Sequence, residues 1–542
     1  MGNRKRSESF IVQAGILAGA GIIVRIIGIL YRSPLTSIIG DEGNGYYGTA
    51  YNIYTIILLL ASYSIPSAIS KVIAQRLALN EYRNAHRIFQ CAFIYVIVVG
   101  GLASVLTWIF APVLVDQNAV SVLRIFTPTI FFSGILGVFR GYYQAHGSMV
   151  QTSISQILEQ ILNALVSIFA AWLMVSGAAG GSDRAIRGAM GSAVGTGVGV
   201  ITALLFMFII YRSNRRFFIR RQAKDHTTEV LGKSEIFRMI FLVVTPFIMS
   251  TFVYNCSTPI NQTIYINVMK LVKGLNSAEA ATLYGIYSGK TLVILNIPIA
   301  ISAAVSAAVI PTVSAAFARK NMEDTKQKVA LAIQTTMLIA IPAAVGLGVL
   351  ARPVTQLLFP QPESLDMAAS LLRALSVTVV FYSLSTLTNA VLQGVGLVNR
   401  PVIHAVIALA AQTAALVPML LMTELNLYSM VLATVIYTFI MCLLNQISIA
   451  RVIGYSQEIM RTFVLPGVSA MIMGIVSWAV YSMLYGLFES NVIALAAAIV
   501  MAVIVYFALL LGTGAVDAET LDQMPGGGRI AGIATRLRLL RG

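Results

Sequence analysis

The sequence predicts an all-α polytopic membrane protein with about fourteen membrane-spanning helices, and three observations carry that prediction. Of the 542 residues, 58% are hydrophobic and only 11% are charged, whereas soluble domains carry about 25% charged residues. Apolar stretches of about 20 residues, long enough to cross a bilayer as a helix, recur along the chain. Basic residues are concentrated between these stretches. A soluble protein with so little charge could not cover its surface, so lipid must solvate much of this chain.

Fourteen apolar stretches meet the length requirement. The stretch 258–282 is amphipathic and suits the membrane interface. The first stretch follows a basic N-terminus without a small-residue cleavage site, so we interpret it as an uncleaved span. The predicted spans lie near 11–31, 46–70, 88–112, 121–143, 152–176, 187–211, 236–257, 283–310, 329–351, 367–393, 402–423, 427–450, 462–487 and 491–513.

The distribution of basic residues predicts the orientation. If the N-terminus is cytoplasmic and the spans alternate, 27 of the 37 Lys and Arg residues fall in cytoplasmic segments and 8 in outer segments. This excess follows the positive-inside rule, so both termini are predicted to be cytoplasmic. The rule also accounts for the net charge of +16, and we expect no nucleic-acid partner.

Short sequence matches indicate that the two halves of the chain are related. Tyr51-Asn-Ile-Tyr54 and Tyr284-Gly-Ile-Tyr287 each precede a proline-containing apolar stretch, and Gln144-Ala-His-Gly147 resembles Gln393-Gly-Val-Gly396. Six spans separate the copies, which predicts a parallel repeat of two six-helix lobes followed by two further helices. The expected divisions are an N-tail at 1–10, an N-lobe at 11–211 (helices 1–6), a basic cytoplasmic linker at 212–235, a C-lobe at 236–450 (helices 7–12), helices 13–14 at 451–514 and a cytoplasmic tail at 515–542.

Ionisable residues within spans are functional candidates, because each costs about 2.5–3.5 kcal/mol or more at the helix centre. Arg25 in span 1 and Lys290 in span 8 are interpreted as cations that face a substrate cavity. Glu159 in span 5 could pair with a buried Arg or Lys, carry a proton or bind a cation, and a structural helix–helix hydrogen bond fits it equally well. Arg140 at the inner end of span 4 and Arg32 at the outer end of span 1 are further cationic candidates. Snorkelling to the interface is the alternative for both, and it is favoured for Arg32.

Polar and aromatic residues recur at roughly helical spacing in span 2. They are Tyr47, Tyr51, Asn52 and Tyr54. These residues could line the cavity and contact sugars, and the alternative is an interfacial aromatic belt. In span 6, Gly191, Gly195 and Gly199 form a ridge of small residues that favours close helix packing.

The sequence lacks the motifs of nucleotide or metal chemistry. Gly289-Lys-Thr291 resembles the end of a P-loop, but position 284, where the motif requires glycine, is Tyr284. The three cysteines and four histidines are scattered, so we expect no metal or cofactor. A chain with so many predicted spans suits a transporter, and without a nucleotide-hydrolysis motif its transport would be driven by an ion gradient or a membrane potential.

The order and spacing of several segments resemble the MOP exporter superfamily. Within it, the chain resembles the SpoVB/YtgP branch of polysaccharide biosynthesis proteins, which is related to MurJ-type lipid II flippases. The resemblance covers about residues 10–513. The segments that carry it are Arg25-Ile-Ile-Gly28 with Leu30-Tyr-Arg32, Tyr51-Asn-Ile-Tyr54 through Ile65-Pro-Ser-Ala-Ile-Ser-Lys71, Arg140-Gly-Tyr-Tyr-Gln144, Ser155-Gln-Ile-Leu-Glu-Gln160, Ser288-Gly-Lys-Thr291 through Ile310-Pro-Thr-Val-Ser314, and Leu392-Gln-Gly-Val-Gly396.

The resemblance implies a transporter of the bacterial plasma membrane that works by alternating access and is not an enzyme. It implies an undecaprenyl-pyrophosphate-linked saccharide as substrate, with membrane lipids and cell-wall synthesis proteins as expected partners. Arg25 matches a first-helix arginine of such flippases, and Lys290 stands where they have an eighth-helix arginine. Span 2 departs from the pattern, because Thr55-Ile-Ile-Leu-Leu-Leu60 is wholly apolar where the best-known flippases carry basic residues.

Several functions remain open at this point. The first is a flippase for lipid II or a similar cell-wall precursor, in vegetative growth or in sporulation. The second is export of another lipid-linked polysaccharide, such as capsule, teichoic-type or O-units. A MATE-type cation-coupled drug exporter is less favoured, because it would require acidic residues in the cavity. A membrane-embedded enzyme is remoter, because the predicted outer loops are short.

Overall fold

The computed structural model describes residues 19–63, 65–223, 225 and 230–516, and these form helices joined by short turns without any strand. The predicted N-tail at 1–10 and nearly all of the predicted tail at 515–542 lie outside these residues. Membrane-spanning backbone must satisfy its hydrogen bonds internally, and helices of the length of these apolar stretches do so.

The chain forms two compact units, Met1–Gly289 and Lys290–Gly542. The boundaries predicted from the sequence for the two lobes stay predictions. The helices of the first unit are α1 (Gly19–Leu30), α2 (Arg32–Leu58), α3 (Ile65–Ala78), α4 (Tyr82–Leu114), α5 (Val120–Ala145), α6 (Val150–Ser176), α7 (Gly181–Ala223), α8 (Lys233–Asn255), α9 (Ser257–Leu271) and α10 (Ser277–Ile286).

The second unit continues with helices of similar length. They are α11 (Leu292–Ala318), α12 (Met322–Val349), α13 (Ala351–Leu358), α14 (Pro362–Leu375), α15 (Thr378–Gly394), α16 (Asn399–Met422), α17 (Leu427–Ile453), α18 (Leu465–Phe488) and α19 (Asn491–Thr513). Its interior contains a polar network: Asn445 Oδ1 lies 2.7 Å from His404 Nδ1, and Asn445 Nδ2 donates to Thr388 Oγ1 over 3.0 Å. These bonds tie α15, α16 and α17 together and satisfy groups that would otherwise be costly to bury.

The membrane helices follow the predicted spans. Within the described part of the chain, ten helices are long and apolar enough to cross a bilayer, and two bent pairs raise the number to twelve. The pairs are Gly19–Leu30 with Arg32–Ala61, and Pro362–Leu375 with Thr378–Gly394. The twelve are two fewer than the fourteen predicted, because the predicted spans 11–31 and 46–70 both fall on the first bent pair and 236–257 coincides with α8, which is outside this count. The predicted fold class is therefore confirmed.

Each repeat predicted from the sequence contains a π-helical turn that starts within five residues of the last tyrosine of its Tyr-x-Ile-Tyr segment. Leu59–Tyr63 follows α2, and Tyr287–Thr291 follows α10. Such turns break the regular α-helical hydrogen-bond ladder and are frequent at functional sites. A separate kink within α2 lies at Gly40, whose φ of 71° falls in the left-handed region that favours glycine.

The glycine ridge in α7 brings this helix close to α6. A Cβ atom added to Gly191 would lie 2.5 Å from Ala171 Cα, and one added to Gly199 would lie 2.5 Å from Glu159 O. Gly195 is equally tight against Ser167. Because real Cβ atoms do not approach other atoms so closely, only glycine allows this separation. The ridge therefore fixes the position of α6, and with it Glu159.

Polar contacts hold α9 and α10 against the rest of the first unit. Asn52 Nδ2 on α2 donates to Tyr284 OH over 2.7 Å and also to Gln262. Asp116, between α4 and α5, pairs with Lys270 and accepts a hydrogen bond from Ser277 Oγ over 2.9 Å. The predicted amphipathic stretch 258–282 thus falls on α9 and the beginning of α10, both of which contact the rest of this unit.

Candidate functional site: a cavity in the first unit

The first unit contains a cavity of about 480 Å³, within the range of ligand pockets, roughly 300–1,000 Å³. Its walls come from α1, α2, α3, α5, α6 and α7, and they combine cationic, aromatic and amide side chains. The lining residues are Gly28, Tyr31, Arg32, Tyr47, Tyr51, Tyr54, Leu58, Pro66, Ser133, Leu136, Gly137, Arg140, Gln144, Gln156, Glu159, Gln160, Asn163 and Thr196.

An ion pair joins two walls of this cavity. Arg140 on α5 donates from Nη2 to Glu159 Oε2 over 2.7 Å and from Nε to Ser155 Oγ over 2.9 Å. The acceptors can share one guanidinium because Ser155 and Glu159 are four residues apart on α6 and lie on one helix face. The Arg140 side chain is 14% exposed and that of Glu159 is 30% exposed, so solvent screens the pair only in part.

Arg32 is the second cation of the cavity. Its guanidinium carbon lies 5.7 Å from the centre of the Tyr47 ring, at cation–π distance. Among the described residues, no carboxylate forms an ion pair with Arg32. The cavity therefore contains two guanidinium groups but only one carboxylate, Glu159, and this balance favours an anionic ligand.

Aromatic rings form the wall contributed by α2. Tyr47 stacks on Tyr51 with ring centres 5.6 Å apart, and Tyr54 stacks on Phe126 of α5 at 4.7 Å. The spacing of Tyr47, Tyr51 and Tyr54 places all three on one side of a helix. Ring faces with hydroxyl tips suit the apolar faces and hydroxyl groups of a sugar.

Amide and hydroxyl groups complete the lining along α6 and α7. Gln156, Glu159, Gln160 and Asn163 follow a spacing of three, one and three residues, so they share one helical face. Asn163 Oδ1 lies 3.3 Å from Thr196 Oγ1, which donates to it. Our sequence interpretation singled out only Glu159 from this face, although the polar stripe at helical spacing was a readable signal.

The structure brings together most of the site residues expected from the sequence. Arg32, Arg140, Glu159, Tyr51 and Tyr54 line the same cavity. For Arg32 the alternative of an interfacial anchor had been favoured, and its position in the cavity wall was not evident from the sequence.

Three expected residues occupy other environments. Arg25 is exposed on α1 and does not line this cavity. Asn52 also lies outside the lining and engages Tyr284 through its amide. Lys290 is fully buried in the second unit, where Nζ donates to Ser364 Oγ over 2.5 Å.

Metal chemistry has no evident site in the part of the chain that the structure describes, since no three His, Cys, Asp or Glu residues converge there. Cys91, Cys256 and Cys442 are all buried and form no disulfide. The lining residues equip the cavity to bind and orient a ligand through hydrogen bonds, charge and aromatic contact.

Comparison with known proteins places this geometry in a family. The family model described as "Polysaccharide biosynthesis protein" matches residues 12–317, and the model "MatE" matches residues 260–416. The lipid II flippase MurJ of Bacillus subtilis is 25% identical over 472 residues, covering 84% of this chain and 85% of that protein. Stage V sporulation protein B of the same organism is 24% identical over 530 residues, covering 96% and 99%.

A solved structure agrees with these sequence matches. The structure titled "Lipid II flippase MurJ, inward closed conformation" superposes with a TM-score of 0.66 at 15% identity, covering 92% of this chain and 98% of that one. At this identity the likeness concerns the fold alone, whereas the family model covers more than half of the chain. The chain is a multi-pass membrane protein that belongs to the polysaccharide biosynthesis protein family of the MOP superfamily.

Proposed function

We propose that this protein is a flippase that moves an undecaprenyl-pyrophosphate-linked cell-wall precursor, lipid II or a similar molecule, across the bacterial plasma membrane by alternating access. The observation that carries the proposal is the cavity in which Arg32 and Arg140 stand beside a wall of tyrosines. Guanidinium groups bind phosphate oxygens strongly in partly desolvated sites. The similarity to the lipid II flippase MurJ supports this class of substrate.

The two cations have different roles in the proposal. Arg140 is held in place by Ser155 and Glu159, and a guanidinium has five N–H donors, so others remain for a ligand. Arg32 has no carboxylate partner among the described residues and supplies the uncompensated positive charge. Together they would bind the oxygen atoms of the diphosphate, while Tyr51 and Tyr54 contact the adjoining sugar.

The balance of charge separates this function from drug export. A cation-coupled drug exporter needs acidic groups free to bind a cation, but Glu159 is already paired with Arg140. Export of another lipid-linked polysaccharide, such as capsule, teichoic-type or O-units, remains the alternative, because the same diphosphate chemistry would serve it. Arg25 and Lys290 remain proposed substrate-binding cations. Both termini are proposed to be cytoplasmic, as the basic segments predict.

Complementation of a bacterium depleted of its own lipid II flippase tests the proposal. We expect the wild-type protein to restore growth, and Arg32→Gln and Arg140→Gln variants at equal membrane abundance to fail. Arg124→Gln is the matched control, because Arg124 lies on α5 with Arg140 but stacks on Trp108 and does not line the cavity.

Each other outcome has a definite meaning. Absence of rescue by an abundant wild-type protein would reject lipid II and favour another lipid-linked polysaccharide. Rescue by both cavity variants would keep the function and reject the cavity as its site. The same strain set with Arg25→Ala and Lys290→Ala tests those two residues.

A further inference from the structure

A second cavity lies between α4 and the beginning of α8, outside the site described above. Its volume is about 350 Å³. Its lining combines two cations with apolar groups. The lining residues are Arg87, Gln90, Cys91, Phe93, Ile94 and Lys233.

The described residues do not neutralise the positive charges of this cavity. Arg87 is partly buried and donates from Nη1 to Leu231 O over 2.9 Å, which leaves other guanidinium N–H groups available. Lys233 is exposed and, like Arg87, forms no ion pair within the described residues. No carboxylate lines the cavity, and Glu235, in the first turn of α8, is exposed to solvent. The cavity therefore presents positive charge that this part of the chain does not neutralise.

The beginning of α8 adds to this positive potential. The N-cap residue Gly232 supplies no side-chain hydrogen bond to the first turn. The first amide groups of a helix lack intrahelical acceptors and carry a partial positive charge, which attracts phosphate oxygens. Lys233 is itself the first helical residue, so its ammonium group and these amides lie at the same end of α8.

An apolar track leads away from the cations along α4. Ile94 lies in the cavity wall, and Ile97, Val98, Leu102 and Val105 follow it as exposed side chains. Their spacing of three, one, four and three residues keeps them on one helical face. A ligand with an anionic head and long apolar chains would match both the cavity and the track.

We propose that this cavity binds the phosphate headgroup of an anionic glycerophospholipid, with its acyl chains along the exposed face of α4. The cytoplasmic orientation predicted for residues 71–87 and 212–235 places the headgroup in the cytoplasmic leaflet, where anionic lipids attract basic segments. The lipid is a resident ligand and not the transported molecule, so the proposal stands or falls independently of the flippase function.

Native mass spectrometry of the delipidated full-length protein in detergent tests the proposal. The first bound molecule of dioleoyl phosphatidylglycerol should have a much higher affinity than the first bound molecule of dioleoyl phosphatidylcholine. Each basic residue near a lipid surface contributes about a factor of five in affinity, so Arg87→Gln with Lys233→Gln should weaken binding of the first phosphatidylglycerol about 25-fold. Lys233→Gln alone should weaken it about fivefold, and this exposed change leaves the Arg87–Leu231 bond intact.

The control removes the same charge elsewhere on the same side of the membrane. Arg215 and Arg238 are both exposed. The double variant Arg215→Gln with Arg238→Gln should bind the first phosphatidylglycerol with unchanged affinity. An equal loss in this control would show that net charge alone governs binding and would overturn the proposal. Full retention of binding by Lys233→Gln and the double variant would also overturn it. Glycerol 3-phosphate should not compete at millimolar concentration, and displacement of the lipid by it would exclude the acyl-chain track from the site.

Discussion

Arg140 on α5 and Glu159 on α6 form an ion pair across the wall of the cavity, with Nη2 2.7 Å from Oε2. The pair links two helices and at the same time orients one of the two guanidinium groups proposed to bind the substrate. A double-mutant cycle of Arg140→Ala and Glu159→Ala should give a coupling energy of about 1–3 kcal/mol in the free energy of unfolding, because the pair is partly shielded from solvent.

Urea unfolding of purified protein in detergent at matched lipid content would measure this coupling. A value near zero would show that the pair is screened as surface pairs are. The Arg124→Ala and Glu159→Ala combination is the control, and these changes should be additive.

The contact between α6 and α7 depends on the absence of side chains in the glycine ridge. Gly195→Ala should lower the free energy of unfolding by about 1–3 kcal/mol, because the added methyl group overlaps Ser167. Gly101→Ala on α4 is the control, since its Cβ would lie 3.8 Å from the Phe131 ring, an ordinary contact. Thermal unfolding monitored by circular dichroism would compare Gly195→Ala with Gly101→Ala. Equal unfolding midpoints would contradict the proposal that Gly195 allows α6 and α7 to pack closely.

Asp116 should make stability depend on pH. Burial opposes ionisation of this carboxyl group, but hydrogen bonds from Lys270 and Ser277 outweigh burial and lower the pKa of Asp116 below its ordinary value. A folded-state pKa below the unfolded one contributes stability above the ordinary pKa near 4, and this is lost as the pH falls through the lower folded value. Asp116→Asn should remove that acid-dependent component.

Unfolding free energies of wild type and Asp116→Asn measured between pH 3 and pH 7 would test this expectation. The difference between the two proteins should shrink as the pH falls. A difference that stays constant over this range would exclude linkage through Asp116.

Tyr51 is proposed to contact the sugar through its ring. Tyr51→Leu should slow flipping of a labelled lipid-linked saccharide in proteoliposomes by about two- to tenfold, the range expected for one aromatic contact. Tyr51→Phe should keep most of the rate because it keeps the ring. Tyr95→Leu on α4, outside the cavity, is the control. Equal rates for Tyr51→Leu and the wild type would remove Tyr51 from the site.

Lys290 combines full burial with a hydrogen bond to Ser364. Lys290→Ala should cost about 2–5 kcal/mol of stability, as buried truncations do, whereas Lys290→Met nearly preserves the volume. Because a buried ammonium group is costly, its presence is proposed to serve substrate binding. Lys290→Met should therefore fold with a near-wild-type unfolding midpoint yet fail to rescue a flippase-depleted strain. Rescue by this variant would assign Lys290 a structural role.

Patterns along the sequence predict a large part of the candidate site. Arg140 and Glu159 stand out in the sequence as ionisable groups in apolar stretches, because the cost of burying charge makes such residues rare. Their pairing was open, since a span boundary says nothing about which side of a helix faces which neighbour. The stripe of Gln156, Gln160 and Asn163 was readable at helical spacing, yet amide groups also form hydrogen bonds between packed membrane helices, so spacing alone does not mark a cavity.

The sequence by itself determined the membrane class, the helical architecture and the close approach at Gly191, Gly195 and Gly199. These follow from local properties, namely apolar length, charge placement and residue size. Only the tertiary structure decided that Arg32 lines the cavity with Arg140, and that Asn52 instead bonds Tyr284. The physical reason is that the rotation of each helix about its axis is set by side-chain packing against its neighbours, and that packing joins residues far apart in the chain.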